Sequence, residues 1–275
     1  MSLHGRKLFW QCAVVAVMLL IGLVFLMPYV WMILNSFKDK GEIMAGKTFW
    51  PARLIWTNYN TVFTRAPILS WFQNSVVVSV AGTVIVLFTS TLAGFVFAKY
   101  DFRGKNAIFW CILATMMVPA QATMIPSFLL VLEIGLYDKL TALIIPGMVG
   151  GFGIYLCRQF IEDIPDSLCE AAAIDGASDL FIYRRVVLPL IGPAVSALAI
   201  FTFLEKWNDY LGPLLYISDP KNMTMPLALS FFNGQRQSDV GATMAAATLV
   251  MLPVTVVFLC FQKQFIKGIA ITGMK

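Results

Sequence analysis

The chain has 275 residues, 59% hydrophobic and 13% charged, whereas a soluble domain carries about 25% charged residues; the deficit excludes an ordinary soluble globular protein. The net charge of +5 does not indicate a nucleic-acid surface, because the basic residues flank apolar stretches instead of forming one patch. His4 is the sole histidine, and no C-x-x-C joins Cys12, Cys111, Cys157, Cys169 and Cys260, so neither a zinc cluster nor a Ser-His-Asp triad is expected.

A membrane helix needs about 20 mostly apolar residues. By that measure six spans are expected, at about 8–34, 72–98, 107–132, 140–160, 190–216 and 240–261. The first follows Arg6-Lys7, is too long for a signal-peptide core and lacks an A-x-A site, so it reads as a retained signal anchor. The loop after it is polar and aromatic, with Trp50-Pro51 and Trp56, and has room for a short surface helix. It also contains Gly41-Glu42-Ile43-Met44-Ala45-Gly46-Lys47-Thr48, a letter-for-letter match to the phosphate-loop pattern. That mechanism needs a strand before the glycines and a helix after them. Here a lysine-rich loop precedes and Phe49-Trp50-Pro51 follows, so a chance match is expected and the chain should hydrolyse nothing itself. Pro119, Pro126, Pro146, Pro193, Pro213 and Pro253 lie in or near spans; they suit either a moving cavity wall or ordinary kinked membrane helices.

Within the fourth span, Gly147, Gly150, Gly151 and Gly153 include a G-x-x-x-G spacing, read as close helix packing with a gate hinge as the alternative. In the fifth span, Glu205, Lys206, Asn208 and Asp209 form the densest polar cluster, with Trp207 and Tyr210 among them. Ionisable groups at membrane depth are costly and face a partner or an aqueous path. The readings are a sugar-facing surface, with the aromatics stacking on a ring, or else a structural Glu205–Lys206–Asp209 network or an outer-interface belt with Trp207. Gln121 and Asn74 are weaker candidates of the first kind.

Six spans put both termini on one side. The short loops of that side carry Lys99, Arg103 and Lys105, then Arg158, Arg184 and Arg185; the opposite short loops carry Lys139, then Lys221 and Arg236. Positive residues in short loops mark the cytoplasm, so both termini and the loop at about 161–190 are expected there.

That loop is the most informative stretch. Pro165 suits a helix start, with Asp163 as a candidate cap, and a first helix is expected over about 166–175. Gly176 supplies a tight turn, Ser178 can cap a second helix over about 179–187, and Pro189 discourages helix at Leu188. Ala171, Ala172, Ala173 and Ala177 permit close approach by another surface. The spacing of Glu170-Ala171-Ala172, Gly176 and Val186-x-Leu188-Pro189 resembles the EAA loop of ABC-importer permeases, with Val186 in place of isoleucine. The segments 98–105 and 207–214, the latter Trp-Asn-Asp-Tyr-Leu-Gly-Pro-Leu, and the tail 262–275 with Gly268 and Gly273 are similar to those of the maltose-permease-like, shorter half of carbohydrate-uptake systems. The tail lacks the usual final glycine and has Ala270 before Ile271.

The resemblance implies an all-α, type I importer permease fold in a single transmembrane domain spanning 1–275, in a bacterial or archaeal cytoplasmic membrane. It implies a homologous permease as the other half of the path, two ATPase subunits that carry ATP and Mg, and a substrate-binding protein that delivers a sugar or oligosaccharide. Glu170, Ala171, Ala172, Asp175, Gly176, Ala177, Arg184, Leu188 and Pro189 would couple to the ATPases, and Glu205, Trp207, Asn208, Asp209 and Tyr210 would line the substrate path. The alternatives are an ABC permease for another solute, such as a phosphorylated polyol or an oligopeptide, and a six-span channel or ion-coupled transporter.

Overall fold

The computed structural model describes the backbone of residues 3–233 and 239–272, and the side chains of 10–232 and 239–262. The side chain of His4, the whole of Arg236 and the side chains of the predicted tail beyond Gln262 lie outside the described residues. Among the described residues every regular element is helical. In chain order these are α1 (Leu3–Asn35), α2 (Lys40–Ala45), α3 (Thr57–Arg65), α4 (Ile68–Lys99), α5 (Lys105–Thr115), α6 (Met124–Glu133), α7 (Thr141–Ile144), α8 (Gly151–Glu162) and α9 (Asp166–Ile174). After them come α10 (Asp179–Leu190), α11 (Gly192–Trp207), α12 (Leu211–Tyr216), α13 (Leu227–Asn233) and α14 (Val240–Thr272).

Three helices have unbroken stretches long and apolar enough to cross a membrane: Trp10–Asn35, Ile68–Lys99 and Val240–Gln262. Two further pairs pass together across sharp bends, α5 with Ala120–Glu133 at 95° and α10 with α11 at 81°. The remaining predicted span, 140–160, is two helices separated by residues 145–150, where Pro146, Gly147 and Gly150 interrupt the ladder. The predicted span 190–216 is likewise divided, since α11 ends at Trp207 and α12 begins at Leu211.

The helices fall into two compact units. The first comprises residues 1–66 with 228–252. In it Asn58 donates to the carbonyls of Ser36 and Lys38, both at 2.8 Å, and the absence of a side chain at Gly241 makes room for Asn58. Phe37 packs on Trp56 and Tyr59, and buried Lys38 donates to the Thr48 carbonyl at 2.6 Å.

The second unit comprises residues 67–227 with 253–275. Its axis is α4, which packs on α8 and α11. Small residues set the spacing. A Cβ at Gly94 would lie 2.7 Å from Cβ of Cys157 and 2.9 Å from the Arg158 nitrogen, and one at Gly153 would strike Ser90. Gly153 therefore packs as expected from its span, and Gly151 does the same against Met116 and Ile112. Between apolar helices in lipid, such close approach supplies contact that a hydrophobic drive cannot. The far end of α4 is held by Trp71, whose indole donates to the Pro220 carbonyl, and by Asn74, which donates to the carbonyls of Lys221 and Met223 at 2.8 and 2.9 Å. Asn74 is thus a structural residue of that loop and not a free substrate contact.

Gly94→Val should force α4 and α8 apart, at about 1–3 kcal/mol. With Cys157 as the remaining cysteine, its thiol, fully buried in the structure, should react with a maleimide dye at a lower temperature in the variant.

Candidate functional site

The loop between α8 and α11 is a helical hairpin. The first helix, α9, ends in a Schellman motif. The Ala177 N–H donates to the Ala172 carbonyl and the Gly176 N–H to the Ala173 carbonyl, both at 3.0 Å. Gly176 has φ +82° with nothing within 4 Å of a built Cβ. Its requirement is therefore conformational, not spatial. Ala172 and Ala177, the pair that this motif brings together, pack on the buried cluster of Phe95, Ile164, Tyr183 and Val187. Asp175 occupies the C-cap, and Glu170 and Ala171 are exposed.

Three local expectations need correction. Asp163 sits at the C-cap of α8, and α9 starts from Pro165. Ser178 holds the N-cap position of α10, but its side chain makes no cap bond. Pro189 does not end the second helix: Leu188 is helical, and the chain leaves the helix at Ile191. The reason is a π-helical stretch, Ile182–Val187, which directs the Leu188 N–H to the Tyr183 carbonyl. The wider turn puts the preceding carbonyls out of step with the proline ring, which would clash in a regular α-helix.

The π stretch also sorts the faces of α10. Ile182, Tyr183 and Val187 are buried, while Leu180, Phe181, Arg184 and Arg185 are exposed. With Ser178 and Leu188 these exposed residues line a surface groove of about 600 Å³. Apolar side chains beside two guanidinium groups suit a protein partner with acidic and apolar features.

Two residues outside the recognised loop pattern fix the hairpin to α4. Lys99 donates to the Ile164 carbonyl at 2.5 Å and to Asp166 at 2.6 Å. Tyr100, next in the chain, packs on Phe95 in the buried cluster that holds Ile182 and Tyr183, and burial, followed by the nearby Asp179 carboxylate, pushes its phenol up to about 12. Further along α4, the Thr91 and Tyr183 hydroxyls meet at 2.7 Å. The charge of Lys99 was visible in sequence; its partners, in a distant loop, were not.

The fifth-span cluster is differently arranged from either expectation. Trp207 is buried against Phe203 and Phe72, with ring centroids 5.9 Å apart in each case, so it offers no stacking platform. Asn208 donates to the Leu204 carbonyl at 2.9 Å, closing the end of α11, and Asp209 accepts the Gly212 N–H at 3.0 Å, opening α12. Glu205 and Tyr210 are exposed. Among the described residues no ion pair joins Glu205, Lys206 and Asp209, so the expected network is absent.

In the phosphate-loop lookalike, Gly41–Ala45 lie inside α2 and no strand precedes them. The Ile43 and Gly46 N–H groups are bonded to Asp39 and Glu42 carbonyls, which leaves them unavailable to wrap a phosphate.

The hairpin, the bent spans and the apolar helices define a membrane transport subunit. Residues 90–271 match the family of binding-protein-dependent transport system inner membrane components, and the chain belongs to that family. It is 32% identical over 259 residues to the arabinooligosaccharides transport system permease protein AraQ of Halalkalibacterium halodurans, covering 93% of each chain. It is 30% identical over 254 residues to the lactose transport system permease protein LacG of Rhizobium radiobacter, covering 92% of each. Its fold superposes with TM-score 0.85 on a chain of a bacterial ABC transporter that imports the acidic polysaccharide alginate, at 23% identity and covering 96% of this chain and 99% of that one. The protein is a multi-pass membrane transport subunit.

Tyr100→Ala, which takes the ring off Phe95 and the buried cluster, should cost about 0.5–3 kcal/mol locally, seen as faster hydrogen exchange in residues 179–183. Because burial raises the phenol's pKa, the stability Tyr100 contributes is complete below pH 10 and fades as pH rises through about 12. Lys47→Ala should leave ATP turnover of the assembled transporter at its wild-type rate.

Proposed function

We propose that this chain forms half of the translocation path of an ATP-driven importer for a sugar or oligosaccharide. The α9–α10 hairpin is the surface that a cytoplasmic ATPase subunit grips. The observation that carries this reading is a hairpin held to α4 by the Lys99 bonds and by the buried cluster that Tyr100 packs on, while its outer face, Leu180, Phe181, Arg184 and Arg185, remains exposed. The sugar assignment draws on the relatives named for arabinooligosaccharides and lactose.

A load applied to the groove has two outlets. One runs through the Lys99 and Tyr100 contacts into α4. The other runs along α10 across the 81° bend at Ile191 into α11. The sixteen residues of α11 rise about 24 Å, so a small rotation of the hairpin moves the Lys206–Trp207 end. Interfaces packed through glycine and serine switch between discrete arrangements instead of deforming continuously. ATP and Mg bind the partner ATPase subunits, a homologous permease closes the path, and a binding protein delivers the sugar from outside. Both termini and the hairpin face the cytoplasm.

Gly176→Val places a β-branched residue at φ +82° and should strain the turn by about 1–3 kcal/mol. The purified variant complex should lose ATPase subunits and binding-protein-stimulated turnover while retaining the second permease. Full retention with full stimulation would remove the coupling role. In a background without native cysteines, Ser178→Cys and Arg53→Cys should label from opposite faces of the membrane.

A further inference from the structure

Lys206 is an unusual cation. It lies in the last turn of an apolar helix, and among the described residues its ammonium has no carboxylate within ion-pair distance and no hydrogen-bond partner. Its methylenes run over Gly82, 3.5 Å from where a Cβ would sit, and its Nζ abuts Gly147, where a Cβ would collide with it. Two glycines therefore make a channel for this one side chain. Along it the ammonium reaches a cavity of about 270 Å³, lined also by Gln121, Ser127, Asp209 and Tyr216. A charge at this depth is costly unless water or a ligand solvates it.

We propose that this cavity is a subsite for one neutral sugar unit, with Lys206 donating to a ring hydroxyl and Asp209 accepting from its neighbour. The inference rests on the importer reading above and names which of this chain's residues touch the solute. The volume lies just below the roughly 300–1,000 Å³ of sites for larger ligands, which suits a single ring of a longer saccharide. The cavity offers one ammonium and one carboxylate, so it carries no net charge for an anion to neutralise. Hydroxyl groups both donate and accept, and an unmatched donor beside an acceptor is the complement of a vicinal diol. One oxygen of Asp209 holds the Gly212 N–H; the carboxylate has further acceptor capacity. Gln121 and Ser127 add polar edges, and Tyr216 replaces buried Trp207 as the aromatic wall.

The test is uptake by cells carrying the complete transporter, with labelled arabinotriose, lactose and digalacturonate as probes. Lys206→Met keeps the stem over Gly82 and removes the donor; Lys206→Gln keeps a donor without charge. For whichever neutral probe the wild type takes up, Lys206→Met should lower maximal uptake about tenfold, the scale of one lost charge-assisted hydrogen bond. Lys206→Gln should stay within about threefold of wild type, and membrane abundance should be unchanged in both. Asp209→Asn, which retains an oxygen for Gly212, should also lower uptake and serves as the second probe if Lys206→Met fails to assemble. Normal uptake in all variants overturns the subsite and leaves the importer reading standing. Equal loss in the Gln and Met variants, with digalacturonate as the transported probe, replaces it by an anion site. Wild-type uptake of neither neutral probe removes the neutral-sugar reading and this subsite with it.

Discussion

The end of α4 is the constraint on which the rest of the structure depends. Lys99 and Tyr100 are adjacent, yet one bonds the start of α9 and the other packs on the buried cluster that contains Ile182 and Tyr183 of α10. The two helices of the hairpin are thus fixed to a single rigid element, α9 by a charged bond at its N-terminus and α10 by apolar packing. Asp166 and Asp179 are the acidic first-turn residues of these helices, so each also complements its own helix dipole. The Lys99 side chain is almost wholly buried while Asp166 is largely exposed. The exposed acid limits the Coulombic value of the pair, and the bond to the Ile164 carbonyl supplies much of its geometric definition.

From that anchor the hairpin presents two chemically distinct sides. The inner side, Ile182, Tyr183 and Val187, joins Phe95, Leu156 and Ile161 in one buried cluster. The outer side keeps two arginines and two large apolar residues in solvent. A surface held this firmly loses little freedom on meeting a partner, which lowers the cost of association. The same rigidity lets displacement pass to α4 and α11 instead of being absorbed in the turn.

How much of this was legible in sequence depended on range. The tight turn at Gly176 was legible, because it has a local cause; that Ala172 and Ala177 close it and pack inward on this chain's own cluster, instead of receiving another surface, was not. The packing role of Gly153 was legible as a small residue in an apolar span, though its partner Ser90 was not. The π stretch was not legible, because Ile182–Val187 carries no composition that separates it from an α-helix; it arises where Pro189 must be housed and Tyr183 must reach Thr91. Trp207 was misread because aromatic residues beside polar ones suggest an interface or a sugar platform. Phe203 one turn earlier gave a local hint of burial, but Phe72 comes from a distant helix. Lys206 was visible as a charge, and only the folded chain shows the glycines that surround it.

The π stretch also sets an angular phase. Each residue of an α-helix turns the chain by about 100°, whereas the wider turn advances it less. The groove residues before and within the stretch therefore stand at an azimuth, relative to Ile191 and α11, that a regular helix of the same length would not give. Removing one residue there would restore a regular helix and rotate the outer face away from its direction while leaving its composition intact. The stretch thus works as a clocking element between the hairpin and the span that follows it.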